Sequence, residues 1–440
     1  RRIGGKMAQM IAVNDVDMPK VILFYAPQMA SLAHKIVKHA QSVQACRITW
    51  RRAPAEGGFP KINIDDYYKV RGGIVVFLAC FDDPECIYEQ FAVMSKLPRF
   101  GAAVFKILMP YFPSLTLQTE GGERGSGKMG EVPTARTLAR LLSAMPKAKS
   151  GPTELVVYDI HHLQERFYFD DDTVPRLETS MPLILQRLDE IVDSNHRKQE
   201  RIVEHKETKK SSETKSDLES ATAGSHEYSG ETYPWDPATE EEYKRLKNAF
   251  LARHLREEDK KRLSKICYAR RKSDPNAPMI AFPDEKTAKR FGKYFQGFDQ
   301  VTCTRMMKAA EKVVVLEGNP RGRQVVLIDD IIITGSTMIR CAELLQSLGA
   351  VSINVYVTHA NFTENSWKSF TTGLFDKVWV TDSCSTMAEM LEAQGPPFEI
   401  VSLAPLLGPI LDEEAFLAAA QEDRSKGFRQ MRADSVRSRL

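Results

Sequence analysis

Short runs of branched apolar residues alternate with helical periodicities along most of this chain. Val21-Ile22-Leu23-Phe24-Tyr25 reads as a strand, and Ser31 to Val43 spaces its apolar residues for one helix face. Ile74 to Cys80, Val104 to Leu108 and Leu155 to Ile160 continue the strands, with helices over Pro84 to Lys96 and Pro133 to Met145 between them. A second series starts near Thr179. It places strands at Met279 to Phe282, Val325 to Ile328, Ile353 to Val357, Lys377 to Val380 and Ile400 to Leu403. Uninterrupted apolar strands alternating with helices build parallel sheets covered on both faces. The two series predict two α/β domains, over 20–175 and 176–410, with an extension over 1–19 and a C-terminal helix and basic tail over 411–440.

The second series is interrupted by a polar stretch over 195–275. Its part from Glu207 to Gly230 holds too few apolar residues to fold alone. Further on, Asp236-Pro237 reads as a helix N-cap and first-turn proline, and Tyr243, Leu246 and Phe250 stripe the helix that follows. Such a stripe is expected to dock on the chain's own body, with a partner protein as the sharper alternative.

Composition narrows this little. A length of 440 residues is enough for two or three domains with substantial cores, and 27% charged residues is ordinary for a soluble protein. A formal charge of +3 is too small to argue for a nucleic-acid partner. Seven scattered cysteines, without a CxxC, point to a reducing compartment and no disulfide framework. No apolar run approaches membrane-spanning length. The chain opens at Arg1-Arg2 rather than Met, so an upstream segment is expected. The cytoplasm is the expected compartment, with an organelle matrix after presequence cleavage as the alternative.

The chemistry is concentrated in Val325-Val326-Leu327-Ile328-Asp329-Asp330-Ile331-Ile332-Ile333-Thr334-Gly335-Ser336-Thr337. A buried strand stops at paired acids, turns through a hydroxyl-rich loop and enters a helix. The carboxylates suit sugar hydroxyls or a hydrated Mg²⁺, and a helix N-terminus attracts phosphate. Diols beside a phosphate describe a ribose 5-phosphate. A second constellation, Asp159-Ile160-His161, ends the first series; two residues apart on an extended strand, its acid and imidazole would face one ion.

The first run resembles the ribose-phosphate loop of the phosphoribosyltransferase fold. The second, Asp159-Ile160-His161-His162-Leu163-Gln164, resembles a signature of ribose-phosphate pyrophosphokinases, which make phosphoribosyl pyrophosphate (PRPP). Ile160 to Phe169, Ile280 to Asp284, Tyr356 to His359, Thr381 to Cys384 and Phe398 to Ala404 look like the plant-type, phosphate-independent branch of that family. The resemblance implies two phosphoribosyltransferase-like α/β domains with parallel sheets flanked by helices. It implies ribose 5-phosphate and ATP as substrates, Mg²⁺ as cofactor, and a homo- or hetero-oligomer. It assigns Asp329 and Asp330 to the ribose hydroxyls, and Thr334, Gly335, Ser336 and Thr337 to the 5-phosphate. Asp284 falls in the pyrophosphate loop. Asp159, His161 and Asp284 fall to the metal, and Arg305 and His161 to catalysis.

The chain also departs from the family pattern. Pro283-Asp284-Glu285-Lys286-Thr287 lacks the glycine that lets a backbone approach a diphosphate. Arg305-Met306-Met307 stands where relatives carry Lys-x-Arg, and losing one charge-stabilising donor costs about 10²- to 10³-fold in rate. Ala53 to Phe59 replaces an adenine-binding Phe-x-Asp-Gly turn, and Ser114 to Leu117 follows Pro110-Tyr111-Phe112-Pro113 without an Arg-Gln pair. Two readings follow: a divergent PRPP-forming enzyme, or a silent member serving as a regulatory or architectural subunit. A salvage phosphoribosyltransferase would not need the Asp159–His161 block.

Overall fold

The computed structural model describes residues 20–52, 59–82, 84–113, 132, 134–195, 237–251, 257–306, 312–413, 415 and 417. Its first half threads β1 (Val21–Tyr25), α1 (Ala30–His39), β2 (Val43–Ala45), β3 (Ile48–Arg52), β4 (Pro60–Ile64), β5 (Ile74–Leu78), α2 (Ile87–Lys96), β6 (Val104–Met109), α3 (Thr134–Ser143), β7 (Thr153–Tyr158) and β8 (Thr173–Glu178). Six of these strands form an all-parallel sheet in the order β2-β1-β5-β6-β7-β8. β3 and β4 pair separately as an antiparallel hairpin. β8 extends the first sheet to Glu178, past the expected domain boundary at 175.

Helix α4, residues 181–195, leads out of this sheet. Then come α5 (Pro237–Leu251), α6 (Glu257–Ser273), β9 (Met279–Phe282), α7 (Glu285–Phe291), β10 (Gln300–Met306), β11 (Lys312–Glu317), β12 (Gln324–Ile332), α8 (Ser336–Ser347), β13 (Ser352–Ala360), β14 (Lys377–Thr381), α9 (Ser385–Gln394) and β15 (Phe398–Val401). The second sheet runs β11-β10-β9-β12-β13-β14-β15, parallel except for the β10–β11 pair. The chain moves outward to β10 on one side of β9 and to β13 on the other side of β12. The carboxyl ends of β9 and β12 therefore frame a topological switch point, where parallel sheets bind ligands.

Strand alternation divides the second sheet's side chains between two cores. Val325, Leu327, Val355 and Val378 face one layer with α8. Ile280, Phe282, Val326, Ile328, Tyr356 and Trp379 face the other and join the core of the first domain. Burying one large apolar side chain of this kind stabilises by about 2 kcal/mol, so this shared layer fixes the two sheets against each other. The helix beginning at residue 404 returns to the first domain, where the Asp412 carboxylate accepts from the Gln41 and Ser42 amides at the end of α1.

Among the described residues, the polar interruption contains two helices where one was expected. Tyr243 and Leu246 of α5 are buried against Leu263 of α6, so the stripe docks on the chain's own body. The side chain of Phe250, the stretch from Glu207 to Gly230, the 1–19 extension and the tail from Arg424 lie outside the described residues. None of the seven cysteines, all among the described residues, is in a disulfide.

Candidate ribose-phosphate site at the domain junction

β12 carries its apolar run to Ile328 and then presents two acids whose side chains, being adjacent on a strand, take opposite faces. Asp330 shares the face of Val326 and Ile328 and turns to the junction with the first domain. There it is buried, with Arg290 Nη1 donating at 2.8 Å and His161 Nδ1 at 3.0 and 3.1 Å from its two carboxylate oxygens. Burial opposes its ionisation. The His161 bonds and the charges of His161 and Arg290 outweigh burial and hold its carboxyl below the usual range. Asp329 takes the other face. Burial, then the Asp330 charge, raise its carboxyl well above the ordinary value, and the charge of Asp284 adds to this.

Asp284 follows β9 and caps α7, its Oδ1 accepting from the Thr287 amide at 2.7 Å. The glycine-poor segment after it is therefore the first turn of a helix, with Glu285 and Lys286 both exposed on it. Arg290 lies in the last turn of the same helix, which is why it reaches Asp330. Sequence reasoning missed Arg290: a lone arginine on a seven-residue helix carries no spacing signature.

The loop after β12 leads into α8 through Gly335. Gly335 adopts φ +75°, and a Cβ there would lie 2.3 Å from Phe370 Cε2, so only glycine fits. Thr334 and Ser336 are exposed, their hydroxyls 3.2 Å apart, and the α8 N-terminus behind them has no side-chain cap. The Ser336 amide donates to Thr334 Oγ1 at 3.4 Å, so hydroxyls and helix N-terminus stand together.

The extended-strand geometry expected for Asp159 and His161 is not what the structure shows. β7 stops at Tyr158, and Asp159 takes φ +37°, so the two residues are not on one extended strand. The Asp159 carboxylate is buried and accepts from Ser180 N at 2.9 Å, Ser180 Oγ at 2.6 Å and Thr358 Oγ1 at 2.8 Å. Beside it, the His359 ring meets the Tyr158 carbonyl at 3.0 Å through Nε2 and Ser383 Oγ at 2.9 Å through Nδ1. Burial lowers the His359 pKa, so a neutral ring donates its Nε2–H to that carbonyl. Asp159 thus ties β7 to β13 and holds His161 opposite Asp330. Among the described residues, no three His, Cys, Asp or Glu side chains gather in a way that could hold a metal.

Arg305 is described only as backbone, in β10. Met307, Ala53 to Gly58 and Ser114 to Lys128 lie outside the described residues.

A parallel sheet with a phosphate loop and an acidic strand end at its switch point defines a protein of the phosphoribosyltransferase class. A family model described as the phosphoribosyl transferase domain matches residues 264–378. Over 400 residues the chain is 32% identical to "Ribose-phosphate pyrophosphokinase 3, mitochondrial" of Spinacia oleracea, covering 89% of this chain and 76% of that one. It is also 32% identical over 406 residues to "Ribose-phosphate pyrophosphokinase 4" of Oryza sativa subsp. japonica, covering 90% and 97%. The crystal structure of phosphoribosylpyrophosphate synthetase from Mycobacterium smegmatis superposes with a TM-score of 0.57 at 17% identity, covering 89% of this chain and 97% of that one. The chain belongs to the ribose-phosphate pyrophosphokinase family. Two phosphoribosyltransferase-type domains with parallel sheets flanked by helices are its fold.

Proposed function

We propose that the chain transfers the pyrophosphoryl group of MgATP to ribose 5-phosphate. The anomeric hydroxyl attacks the β-phosphorus and loses its proton, the bond from that phosphorus to the α-phosphate oxygen breaks, and AMP leaves with PRPP as the other product. Membership of the family, with its ribose-phosphate loop intact at the switch point, carries this reading. No observation favours the alternative of a silent subunit.

The roles divide along the two faces of β12. Asp329 holds the ribose hydroxyls, and Thr334 to Thr337 with the α8 amides hold the 5-phosphate. Asp330 positions Arg290 and His161, two nitrogen donors that would meet the nucleotide phosphates. Catalysis of this kind is positioning and charge neutralisation. Mg²⁺ is commonly held by one or two carboxylates together with substrate phosphates. Asp284 and Asp329 fit that description better than Asp159, because they are hard oxygen donors whose mutual repulsion a cation relieves. Bound there, Mg²⁺ would neutralise charge on the transferred phosphates.

An assembly of like or related chains completes the proposal. Among the described residues no helix is long and apolar enough to cross a membrane. The decisive experiment follows AMP release from MgATP and ribose 5-phosphate, with Asp329→Asn as control. AMP formation lost in that variant is the expected result. Binding of ribose 5-phosphate without any AMP release would overturn the proposal.

A further inference from the structure

The reaction makes no use of α5 and α6. This hairpin closes on Tyr243, Leu246 and Leu263 and is tied to α4 by ion pairs. Arg271 grips Asp189 with two bonds, at 2.7 and 2.8 Å, and Arg270 meets Asp193 at 3.3 Å. Between the hairpin, α4 and the turn after α7 lies a cavity of about 500 Å³, the size of a small-molecule site. Leu185, Leu263 and Cys267 line it with three tyrosines, Tyr243, Tyr268 and Tyr294. Its shape depends on Gly297, at φ +91°. A Cβ there would stand 2.9 Å from the Tyr268 carbonyl oxygen and 3.1 Å from its ring, which would push α6 away.

The charges at the wall are unequal. Arg271 is paired with Asp189, Lys247 and Arg270 share the single carboxylate of Asp193, and Glu190 has Arg187 at 3.9 Å. Lys293, exposed at the edge, has no carboxylate partner among the described residues; its ammonium stands 5.1 Å over the Tyr294 ring. Aromatic walls beside an uncompensated cation suit a flat ring that carries an acidic group. We propose that this cavity binds a small planar aromatic anion, at a site separate from the ribose-phosphate loop. The ring enters among the tyrosines and leucines, and the acid pairs with Lys293. A sugar phosphate alone would leave the apolar walls unused, and a neutral ring would leave Lys293 unused.

The test is direct binding to the full chain, with the fluorescent aromatic anion anilinonaphthalenesulfonate as probe and uncharged phenylnaphthylamine as its neutral counterpart. One saturable site is expected, with the neutral compound weaker. Lys293→Gln should weaken the sulfonate about fivefold, the scale of a single exposed ion pair. Cys267→Trp, which fills the cavity, should abolish binding while ribose 5-phosphate binding persists. No saturable binding up to about 1 mM, a range that would register even a contribution of a few kcal/mol, overturns the proposal. So does either variant binding the sulfonate as the parent does. Lys293 is exposed, so its variant reports on the site whether or not the tryptophan variant folds.

Discussion

Replacing Asp330 by asparagine isolates the electrostatic centre of the site while preserving its shape. The carboxylate side chain is 5% exposed, and its partners Arg290 and His161 are 19% and 25% exposed. Asparagine keeps one oxygen for the 2.8 Å bond from Arg290 Nη1 but carries no charge and turns an amide towards His161. Removing one member of a buried ion pair typically costs about 3–5 kcal/mol, because the other charge stays behind. Water still reaches a fifth to a quarter of each partner here, which places the expected loss near the lower end, about 3 kcal/mol. Urea unfolding of the parent, Asp330→Asn, Arg290→Met and the double variant would measure it. Residues sharing one bond are expected to couple by about 2 kcal/mol, and single effects that add to within about 0.5 kcal/mol would refute the pairing.

The pH dependence gives a second check. Because the folded Asp330 carboxyl lies below its ordinary value, the pair's stabilisation is fully present above the unfolded aspartate value of about 4. It is lost as pH falls through the depressed folded value. The stability gap between parent and Asp330→Asn should therefore stay level from neutrality down to about pH 5 and close below it. A gap that persists into strong acid would show that the cost is steric.

Asp329→Asn should do the reverse. Its folded carboxyl is raised, so its contribution is favourable below the ordinary aspartate value and is lost as pH rises towards the raised one. At neutral pH the variant should melt higher than the parent yet bind ribose 5-phosphate at least about tenfold more weakly by calorimetry, the scale of a lost charged hydrogen bond. A variant that melts lower would sink the assignment. Gly335→Ala should destabilise by at least about 1–3 kcal/mol through strain at φ +75° and contact with Phe370, and weaken ribose 5-phosphate in the same titration. Unchanged melting would contradict the geometry. Asp159→Ala strands the Ser180 amide and the Thr358 hydroxyl in the interior and should cost about 3 kcal/mol in urea unfolding. The Mg²⁺ requirement for nucleotide binding should not change; a shifted requirement would restore Asp159 to the metal.

The strands that the sequence makes plain are those buried on both faces, because an uninterrupted run such as Ile74 to Leu78 has no other stable place. Half-exposed strands carry no such signal. Ile48-Thr49-Trp50-Arg51-Arg52 mixes polar and apolar residues in a separate hairpin, and β8 carries Pro175, tolerable because β8 is the sheet edge. The phosphate loop was legible because its parts are contiguous and Gly335 has a local reason to be glycine. The triad of His161, Arg290 and Asp330 was not, since its members lie 40 to 169 positions apart and only the packed junction brings them together. Adjacent acids on a strand face opposite ways, so Asp329 and Asp330 reach different sides of β12.

On the proposed function, that division is how a site with a glycine-poor pyrophosphate segment would still suit its substrates. Glu285 and Lys286 extend α7 where a loop backbone would otherwise cradle a diphosphate, and the same helix carries Arg290 back to the junction. On one face of β12, Asp329 and Asp284 repel each other, so a cation that joins them lowers the energy of the folded chain. On the other, Arg290 and His161 share the single carboxylate of Asp330, so a phosphate arriving beside them meets donors already fixed in place. A metal-bound polyphosphate presents both complements at once, cation and anion. A bare sugar phosphate presents one, and needs only the loop at Thr334 to Thr337. On the proposed function, the order of charges across β12 suits ribose 5-phosphate at the loop and the metal–nucleotide complex across the strand, the arrangement that pyrophosphoryl transfer between them requires.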